Sequence, residues 1–212
     1  MHLTSRDLTN LIIALQAVIS LLIAIRAFSF YFRTRSTALL ALGLSMGIIA
    51  IGGITGVIDD PFLNGNPTFN TIWFRHIGQT AAYAFIFLAS LGGSEKYRQE
   101  LKRWHIIATI LLLILMFLTP VLPGKQPREV TGILSAIRCI ACMATFFSYL
   151  AIFLRKSTRF SLLMSASFFL MGISLWLYTM KFFMPENLLF DYLSDGMRLA
   201  GLILLYLTFF IS

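Results

Sequence analysis

Charged residues are scarce in this chain, and their scarcity excludes most classes of soluble protein. Of the 212 residues, 12% are charged and 58% are hydrophobic, and the mean hydropathy is +0.83. Soluble domains carry roughly 25% charged residues and about 45–50% apolar ones. A water-soluble protein of this size cannot hide so much apolar surface. The composition therefore predicts that lipid is the solvent for most of the chain.

Cysteine and histidine are also rare. Cys139 and Cys142 have C-x-x-C spacing, but no second cysteine pair or nearby histidine completes a zinc site. We interpret both as small packing residues. His2, His76 and His105 provide no pair at matching depth for bis-histidine haem ligation, and no serine has a plausible base beside it. The sequence thus predicts no metal site, no cofactor and no catalytic residues, so we do not expect an enzyme.

Long apolar windows recur almost without pause and leave no room for a soluble domain. A membrane-spanning helix needs about 20 mostly apolar residues. A transmembrane β-barrel would instead show alternating segments of about ten residues, which runs such as IIATILLLILMFL exclude. We predict an all-α integral membrane protein with a single domain, residues 1–212, and seven transmembrane helices: Leu8–Phe30, Thr37–Ile58, Thr71–Leu91, Trp104–Leu122, Thr131–Leu154, Phe160–Phe182 and Leu188–Ile211.

The net charge of +8 lies on alternate loops of this topology. One side has two acids, Glu95 and Glu100, and ten cations: Arg26, Arg33, Arg35, Lys96, Arg98, Lys102, Arg103, Arg155, Lys156 and Arg159. The other side has seven charges of each sign, among them Arg6, Asp7, Asp59, Asp60, Lys125 and Glu186. The positive-inside rule then places the N-terminus outside and the C-terminus in the cytoplasm of a multi-pass cell-membrane protein. Anionic lipid headgroups explain the basic loops, so we expect membrane lipid as a partner and no nucleic acid.

Two parts of the chain resemble each other. The passage FRTRSTALLALGLSMGIIAI resembles LRKSTRFSLLMSASFFLMGISL, and RHIG in helix 3 matches RLAG in helix 7. Arg75 then corresponds to Arg198, and Gly78 to Gly201. A single linker helix between two such triplets gives both triplets the same orientation in the membrane, so the repeats are parallel. We predict a 3+1+3 plan with repeat 1 over about 8–92, helix 4 as the linker over about 104–122, and repeat 2 over about 131–212.

This 3+1+3 plan is similar to that of SWEET and PnuC-type transporters and, more loosely, to that of opsins and G-protein-coupled receptors. The resemblance lies in topology alone. The proline–glutamine signature of the sugar transporters is missing, and helix 7 has no lysine that could hold a retinal. The resemblance therefore implies a membrane helix bundle, and it assigns no functional residue.

Ionisable residues inside spanning segments are costly and point to function. Seven polar residues fall in the outer halves of helices 3, 5 and 7, and we predict that they form a ligand site: Arg75, His76, Gln79, Arg138, Asp191, Asp195 and Arg198. Gln16, Thr80, Tyr83, Tyr178 and Lys181 would complete an outward-open polar vestibule. Guanidinium groups bind carboxylates and phosphates through paired hydrogen bonds, so the expected ligand is a small molecule, and an anion suits it.

A purely structural alternative stays open for the same residues. Asp191, Asp195 and Arg198 share one face of helix 7 because they are spaced i, i+4 and i, i+3. They can pair with Arg75 and Arg138 in a salt-bridge network that clamps helices 3, 5 and 7. Arginines at this depth can also reach the interface by snorkelling. His76 is either a pH-responsive group or a hydrogen-bonding interface residue.

The main functional hypothesis is a receptor-like sensor. It would bind a small ligand from outside and signal through a cytoplasmic or membrane protein partner. The alternatives are a small-solute transporter or facilitator of 3+1+3 architecture and a non-catalytic accessory subunit of a membrane complex. Ion-coupled transport is disfavoured because the central turns of the helices carry no carboxylate.

Overall fold

A computed structural model describes residues 5–62, 69–118, 121–123, 126–182 and 188–211, with side chains over 11–57, 69–118, 121–123, 126–182 and 190–210. The side chains of Arg6, Asp7, Asp59, Asp60, Lys125 and Glu186, whose charges entered the topology prediction, lie outside these ranges. The described chain contains no strand and seven helices: α1 (Ser5–Thr34), α2 (Thr37–Phe62), α3 (Thr71–Ser90), α4 (Glu95–Phe117), α5 (Arg128–Lys156), α6 (Arg159–Met180) and α7 (Leu188–Ile211).

The all-helical prediction is confirmed, and five of the seven helices are long and apolar enough to cross a membrane. Their spanning segments are Leu11–Thr34, Thr37–Val57, Arg128–Lys156, Arg159–Met180 and Phe190–Phe210. These five segments support an integral membrane protein. Within the described residues, α3 and α4 are not both long enough and apolar enough to be identified as membrane-spanning helices. In α3 the cause is the polar group that begins at Arg75, which lowers the hydropathy of a helix of 20 residues.

Helix α4 differs most from its predicted bounds. It begins at Glu95, because the side chain of Ser94 accepts the backbone N–H of Tyr97 and caps the first turn. It ends at Phe117, before the predicted Leu122. The apolar stretch after its last cation is therefore only about 21 Å long at 1.5 Å per residue, shorter than the roughly 30 Å hydrocarbon core of a bilayer.

Six helices form a closed ring around a common interior. Going round the ring, α1 packs on α2, α2 on α3, α3 on α5, α5 on α6, α6 on α7, and α7 back on α1. Helix α4 lies outside the ring, against α2 and α3. The ring therefore consists of two triplets, α1–α3 and α5–α7, which meet at the α3–α5 and α7–α1 junctions.

Side chains fix α4 to the outside of this ring. His105 is 1% exposed, stacks on the ring of Phe85 in α3 with centroids 4.1 Å apart, and has Nε2 3.4 Å from Oγ of Ser45 in α2. At the other end of α4, the amide of Asn70 donates to the carbonyls of Leu115 and Leu118, at 3.0 and 3.2 Å. These contacts hold both ends of α4 against its neighbours.

The same turn joins the first two helices of each triplet. Arg35 follows α1 with φ of 56°, and Ser157 follows α5 with φ of 48°. They are the non-glycine residues with positive φ in the described chain. The backbone N–H of Arg35 donates to Tyr31 O, and that of Ser157 donates to Phe153 O, each at 2.7 Å. The two triplets therefore share a left-handed helix end at corresponding places.

Glycines bring the second and third helices of each triplet close together. A Cβ added at Gly78 of α3 would lie 2.8 Å from Cγ2 of Ile48 in α2. A Cβ added at Gly201 of α7 would lie 2.8 Å from Cγ of Met171 in α6. Neither position has room for a side chain, so both helix pairs approach through a glycine. Such contacts are the usual way in which membrane helices pack closely.

Candidate functional site

A cavity of about 350 Å³ lies inside the ring, at the end where α3, α5 and α7 begin. All six ring helices contribute to its wall, and α4 does not. The basic turns after α1 and α5 lie at the opposite ends of their helices. All seven side chains predicted to form a site line this one cavity: Arg75, His76, Gln79, Arg138, Asp191, Asp195 and Arg198.

Arg138 is the most deeply enclosed of the charged side chains, with 2% exposure. Because α5 begins at Arg128, Arg138 lies about 15 Å into the helix at 1.5 Å per residue, deeper than the sequence indicated. Its Nη1 donates to Oε1 of Gln79, and its Nε donates to the carbonyl of Leu134 at 3.3 Å. Its buried Nη2 has no hydrogen-bond partner among the described residues. Arg138 therefore does not snorkel, and one nitrogen of its guanidinium is left for another acceptor.

Arg75 lies in a shallow groove made by two glycines of α2. Its Cα and Cγ would be 3.4 Å from a Cβ at Gly52, and its Nη1 would be 3.0 Å from a Cβ at Gly56. Gly52 and Gly56 have i, i+4 spacing, which in membrane helices usually serves close helix packing, and here they make room for an arginine of α3. The guanidinium of Arg75 is thereby held at the cavity wall.

Tyr178 of α6 lies among three cations. The centroid of its ring is 5.9 Å from Cζ of Arg138, 5.8 Å from Cζ of Arg198 and 5.5 Å from Nζ of Lys181. Cation–π attraction at such distances is worth roughly 0.5–2 kcal/mol, which offsets part of the repulsion among the three cations. The buried Nε of Arg198, like Nη2 of Arg138, has no hydrogen-bond partner in the described part of the chain.

The ion pair in the cavity differs from the predicted network. Lys181 at the end of α6 pairs with Asp191 of α7, with Nζ 2.9 Å from Oδ1 and 3.1 Å from Oδ2. Within the described ranges this is the one ion pair, so none of the three arginines is paired with a carboxylate. The salt-bridge network that would clamp α3, α5 and α7 is therefore not formed by these side chains. Asp195 shares the cavity and likewise has no basic partner within 4 Å there.

Neutral polar residues complete the wall. His76 is 7% exposed, and its Nδ1 has no hydrogen-bond partner among the described residues. Gln16 of α1 donates from Nε2 to the carbonyl of Asp195 at 3.2 Å and so joins α1 to α7. Thr80, predicted to face the vestibule, does not line it; its hydroxyl lies 2.8 Å from the carbonyl of His76 and 3.4 Å from that of Leu134.

Sequence reasoning missed part of the cavity. Tyr192 contributes to the wall, and so do apolar residues such as Ile49 and Leu202. Tyr192 follows Asp191 directly, but no periodicity separates it from the lipid-facing residues of α7. Ile49 and Leu202 belong to ordinary apolar helix faces, and only the ring arrangement turns them inward. The pairing of Lys181 with Asp191 could have been predicted from the sequence, because these opposite charges flank the short connection from α6 to α7.

The charges of the cavity determine what it can bind. Lys181 and Asp191 neutralise each other, which leaves three arginines and Asp195. The arginines, which have no ion-pair partner among the described residues, favour an anion with several acceptor oxygens. Among the described residues, no group of three histidine, cysteine or acidic side chains is close enough to hold a metal ion. No protein family, curated protein or solved structure matches the chain.

Proposed function

We propose that this protein is a receptor-like membrane sensor that binds a small anionic molecule in the cavity and signals through a cytoplasmic or membrane protein partner. One observation carries the proposal: Arg75, Arg138 and Arg198 line a single cavity, and none has a carboxylate partner among the described side chains. Buried guanidinium groups are seldom left unpaired in a protein whose only task is to be stable. They are expected where a ligand brings the missing charge.

Two guanidinium nitrogens at the cavity have no hydrogen-bond partner among the described residues. A buried donor without an acceptor costs about 1–3 kcal/mol, and more for a charged group. Nη2 of Arg138 and Nε of Arg198 both belong to residues that line the cavity. A carboxylate or phosphate bound against these guanidinium groups would offset part of this cost through charge-assisted hydrogen bonds, which are roughly twice as strong as neutral ones. The binding energy of the ligand then includes the relief of these penalties.

The proposed orientation puts this cavity on the outside. We take α3 and α4 as spans beside the five longer helices, with the N-terminus outside and the C-terminus in the cytoplasm. The basic turns at the opposite end of the ring support this orientation. The parallel 3+1+3 repeat is supported by the ring of two triplets, by the matching turns at Arg35 and Ser157, and by the close approaches at Gly78 and Gly201.

A ligand in this cavity would contact helices of both triplets at once. It can therefore bias how the triplets pack, and a ligand shifts such an equilibrium by its difference in affinity for the two states. The α7–α1 junction is bridged by Gln16, and the α3–α5 junction by the bond of Arg138 to Gln79. Both bridges lie in the cavity wall, so an anion that attracts Arg138 acts directly on one junction. The cytoplasmic ends of the helices would transmit the change.

Facilitated transport is the second candidate, and a second cavity favours it. A largely apolar cavity of about 350 Å³ lies at the opposite end of the ring, lined by residues that include Leu42 and Phe209. On α2, Ile49 of the first cavity and Leu42 of the second are about 10 Å apart along the helix. Met46 and Leu205 are both fully buried, and along α2 and α7 each falls between a residue of the first cavity and a residue of the second. A path for a solute would require these buried residues to move apart.

Anion-dependent stabilisation of the purified protein tests the binding proposal. We expect small carboxylates or phosphate to raise the midpoint of thermal unfolding of the wild-type protein, because a ligand that binds only the folded state stabilises it. Arg75→Gln and Arg198→Gln should each weaken the apparent affinity about tenfold or more, since a hydrogen bond to a charged group contributes about 1.5–3 kcal/mol. Arg103→Gln, which removes an exposed cation of α4 outside the cavity, should bind as the wild type does. Stabilisation that survives both cavity substitutions would exclude the arginine site.

Flux measurements separate sensing from transport. A sensor reconstituted in liposomes should bind the anion that stabilises it without moving it across the bilayer. Radiolabelled uptake of that same anion, compared with uptake in protein-free liposomes, provides the measurement. If uptake exceeds the background and Arg198→Gln reduces it, the protein is a facilitator and not a sensor. Binding without uptake would favour the sensor.

A further inference from the structure

We infer that the ligand is an amino dicarboxylate, a small zwitterion with two acidic groups and one ammonium group. The inference rests on the proposed function, because it concerns the same cavity, and it names the chemical class of the ligand. It depends on Asp195, the one acidic side chain that lines the cavity without an ion-pair partner among the described residues. This carboxylate opposes the binding of a plain anion, because it repels every acidic group of a ligand.

The charged side chains of the cavity indicate which charged groups the ligand carries. With Lys181 and Asp191 paired, the cavity offers three arginines and Asp195. The arginines come from three different helices, α3, α5 and α7, so one carboxylate cannot engage all three through paired hydrogen bonds. Two acidic groups use the arginines more fully, and one cationic group matches Asp195. The ligand then carries a net negative charge, as the excess of arginines requires.

The positions of the charged residues along their helices indicate how the ligand is oriented in the cavity. Asp195 precedes Arg198 by almost one helical turn on α7, about 4.5 Å nearer the start of the helix. Arg138 lies deeper, with 2% exposure, and its free Nη2 is buried. An acidic group would therefore bind at the inner end between Arg138 and Arg198, with the ammonium group outward beside Asp195. The carbonyl of Asp195 is already held by Gln16, which fixes the backbone at that point.

The size of the cavity agrees with a metabolite of this class. Ligand pockets occupy about 300–1,000 Å³, and this cavity, at about 350 Å³, is at the lower end of that range. Larger acids such as lipid headgroups with attached chains would have to extend out of it. A simple dicarboxylate would fit but would leave Asp195 facing an acid. Inorganic phosphate would fit and would leave the outer part of the cavity unfilled.

Matched pairs of acids with and without the amine test the inference. The probes are L-glutamate against glutarate and L-aspartate against succinate, with thermal stabilisation and isothermal titration of the purified full chain as measurements. The wild-type protein should bind the amine-bearing member of at least one pair about tenfold more tightly, as expected for one charge-assisted hydrogen bond. Asp195→Asn should remove that preference and retain the binding of the plain dicarboxylate. Glu129→Gln, which changes an exposed acid at the start of α5, is the control and should retain the preference.

Each other outcome has a definite meaning. Equal binding of the two members of both pairs by the wild-type protein would overturn the inference and leave anion binding intact. A preference that persists in Asp195→Asn would overturn the role given to Asp195. If phosphate stabilises the protein and none of the four organic acids does, the inference fails and the proposed function stands. If no anion stabilises the protein, both fail.

Discussion

Replacing Arg138 with glutamine is expected to weaken anion binding strongly and to leave the ligand-free protein at least as stable as the wild type. Arg138 is buried, and its guanidinium has no carboxylate partner among the described residues. Removing one partner of a buried, hydrogen-bonded charge pair typically costs about 2–5 kcal/mol of binding energy, which is roughly 30-fold to several-thousand-fold in affinity. In the absence of ligand, the substitution removes the cost of burying a charge. The two effects have opposite signs.

This opposition distinguishes a binding residue from a structural one. The measurements are the apparent affinity for the best stabilising anion and the midpoint of thermal unfolding without it. Arg138→Lys keeps the charge and loses the planar fork of donors, so it should also bind weakly. Arg103→Gln serves again as the control on an exposed cation. A strongly destabilised Arg138→Gln protein would assign Arg138 to the scaffold, through its bonds to Gln79 and Leu134.

Replacing Gly201 with alanine is expected to destabilise the fold by about 1–3 kcal/mol, the usual cost of overpacking a well-packed interior. The new Cβ would lie 2.8 Å from Cγ of Met171, 3.0 Å from the carbonyl oxygen of Ser167 and 3.2 Å from the backbone nitrogen of Met171. The side chain of Met171 can move, but two of the three close atoms belong to the backbone of α6. Helices α6 and α7 would therefore have to separate.

A matched control lies on the same helix. A Cβ added at Gly196 meets nothing within 4 Å, so Gly196→Ala should be neutral or slightly stabilising, since alanine is the better helix former. Thermal unfolding of both variants and of the wild type in the same detergent provides the comparison. Equal midpoints for Gly201→Ala and Gly196→Ala would show that α6 and α7 do not depend on the glycine contact.

Much of the helical architecture could be predicted from the sequence, because membrane helices depend mainly on apolar length. The bounds of α7 agree with the prediction at both ends, and those of α3 differ at one end by a single residue. For α4 the apolar stretch alone was misleading. The segment EKYRQELKR is rich in strong helix formers and follows Ser94, so it extends the helix before the apolar residues begin. A search for capped starts would have found this end of α4.

The membership of the cavity could be predicted, but its internal contacts could not. Helical spacing put Asp191, Asp195 and Arg198 on one face of α7, and the comparison of RHIG with RLAG brought Arg75 to the same height. Which acid pairs with which base depends on how the helices rotate and approach, and composition does not determine that. The sequence therefore placed Asp191 among the possible partners of the arginines, whereas the structure pairs it with Lys181. The groove that holds Arg75 likewise exists only because α2 presents Gly52 and Gly56 towards α3.

The matching turns at Arg35 and Ser157 have a consequence for the direction in which a ligand can bind. Gln16 precedes the first turn by the same number of residues as Arg138 precedes the second, and both line the cavity. A ring with true two-fold symmetry would offer every ligand two equivalent poses. Here a neutral amide in one triplet corresponds to a cation in the other, and Asp195 belongs to one triplet only. A roughly symmetric scaffold would thus hold a chiral molecule in a single pose and could tell one enantiomer from the other.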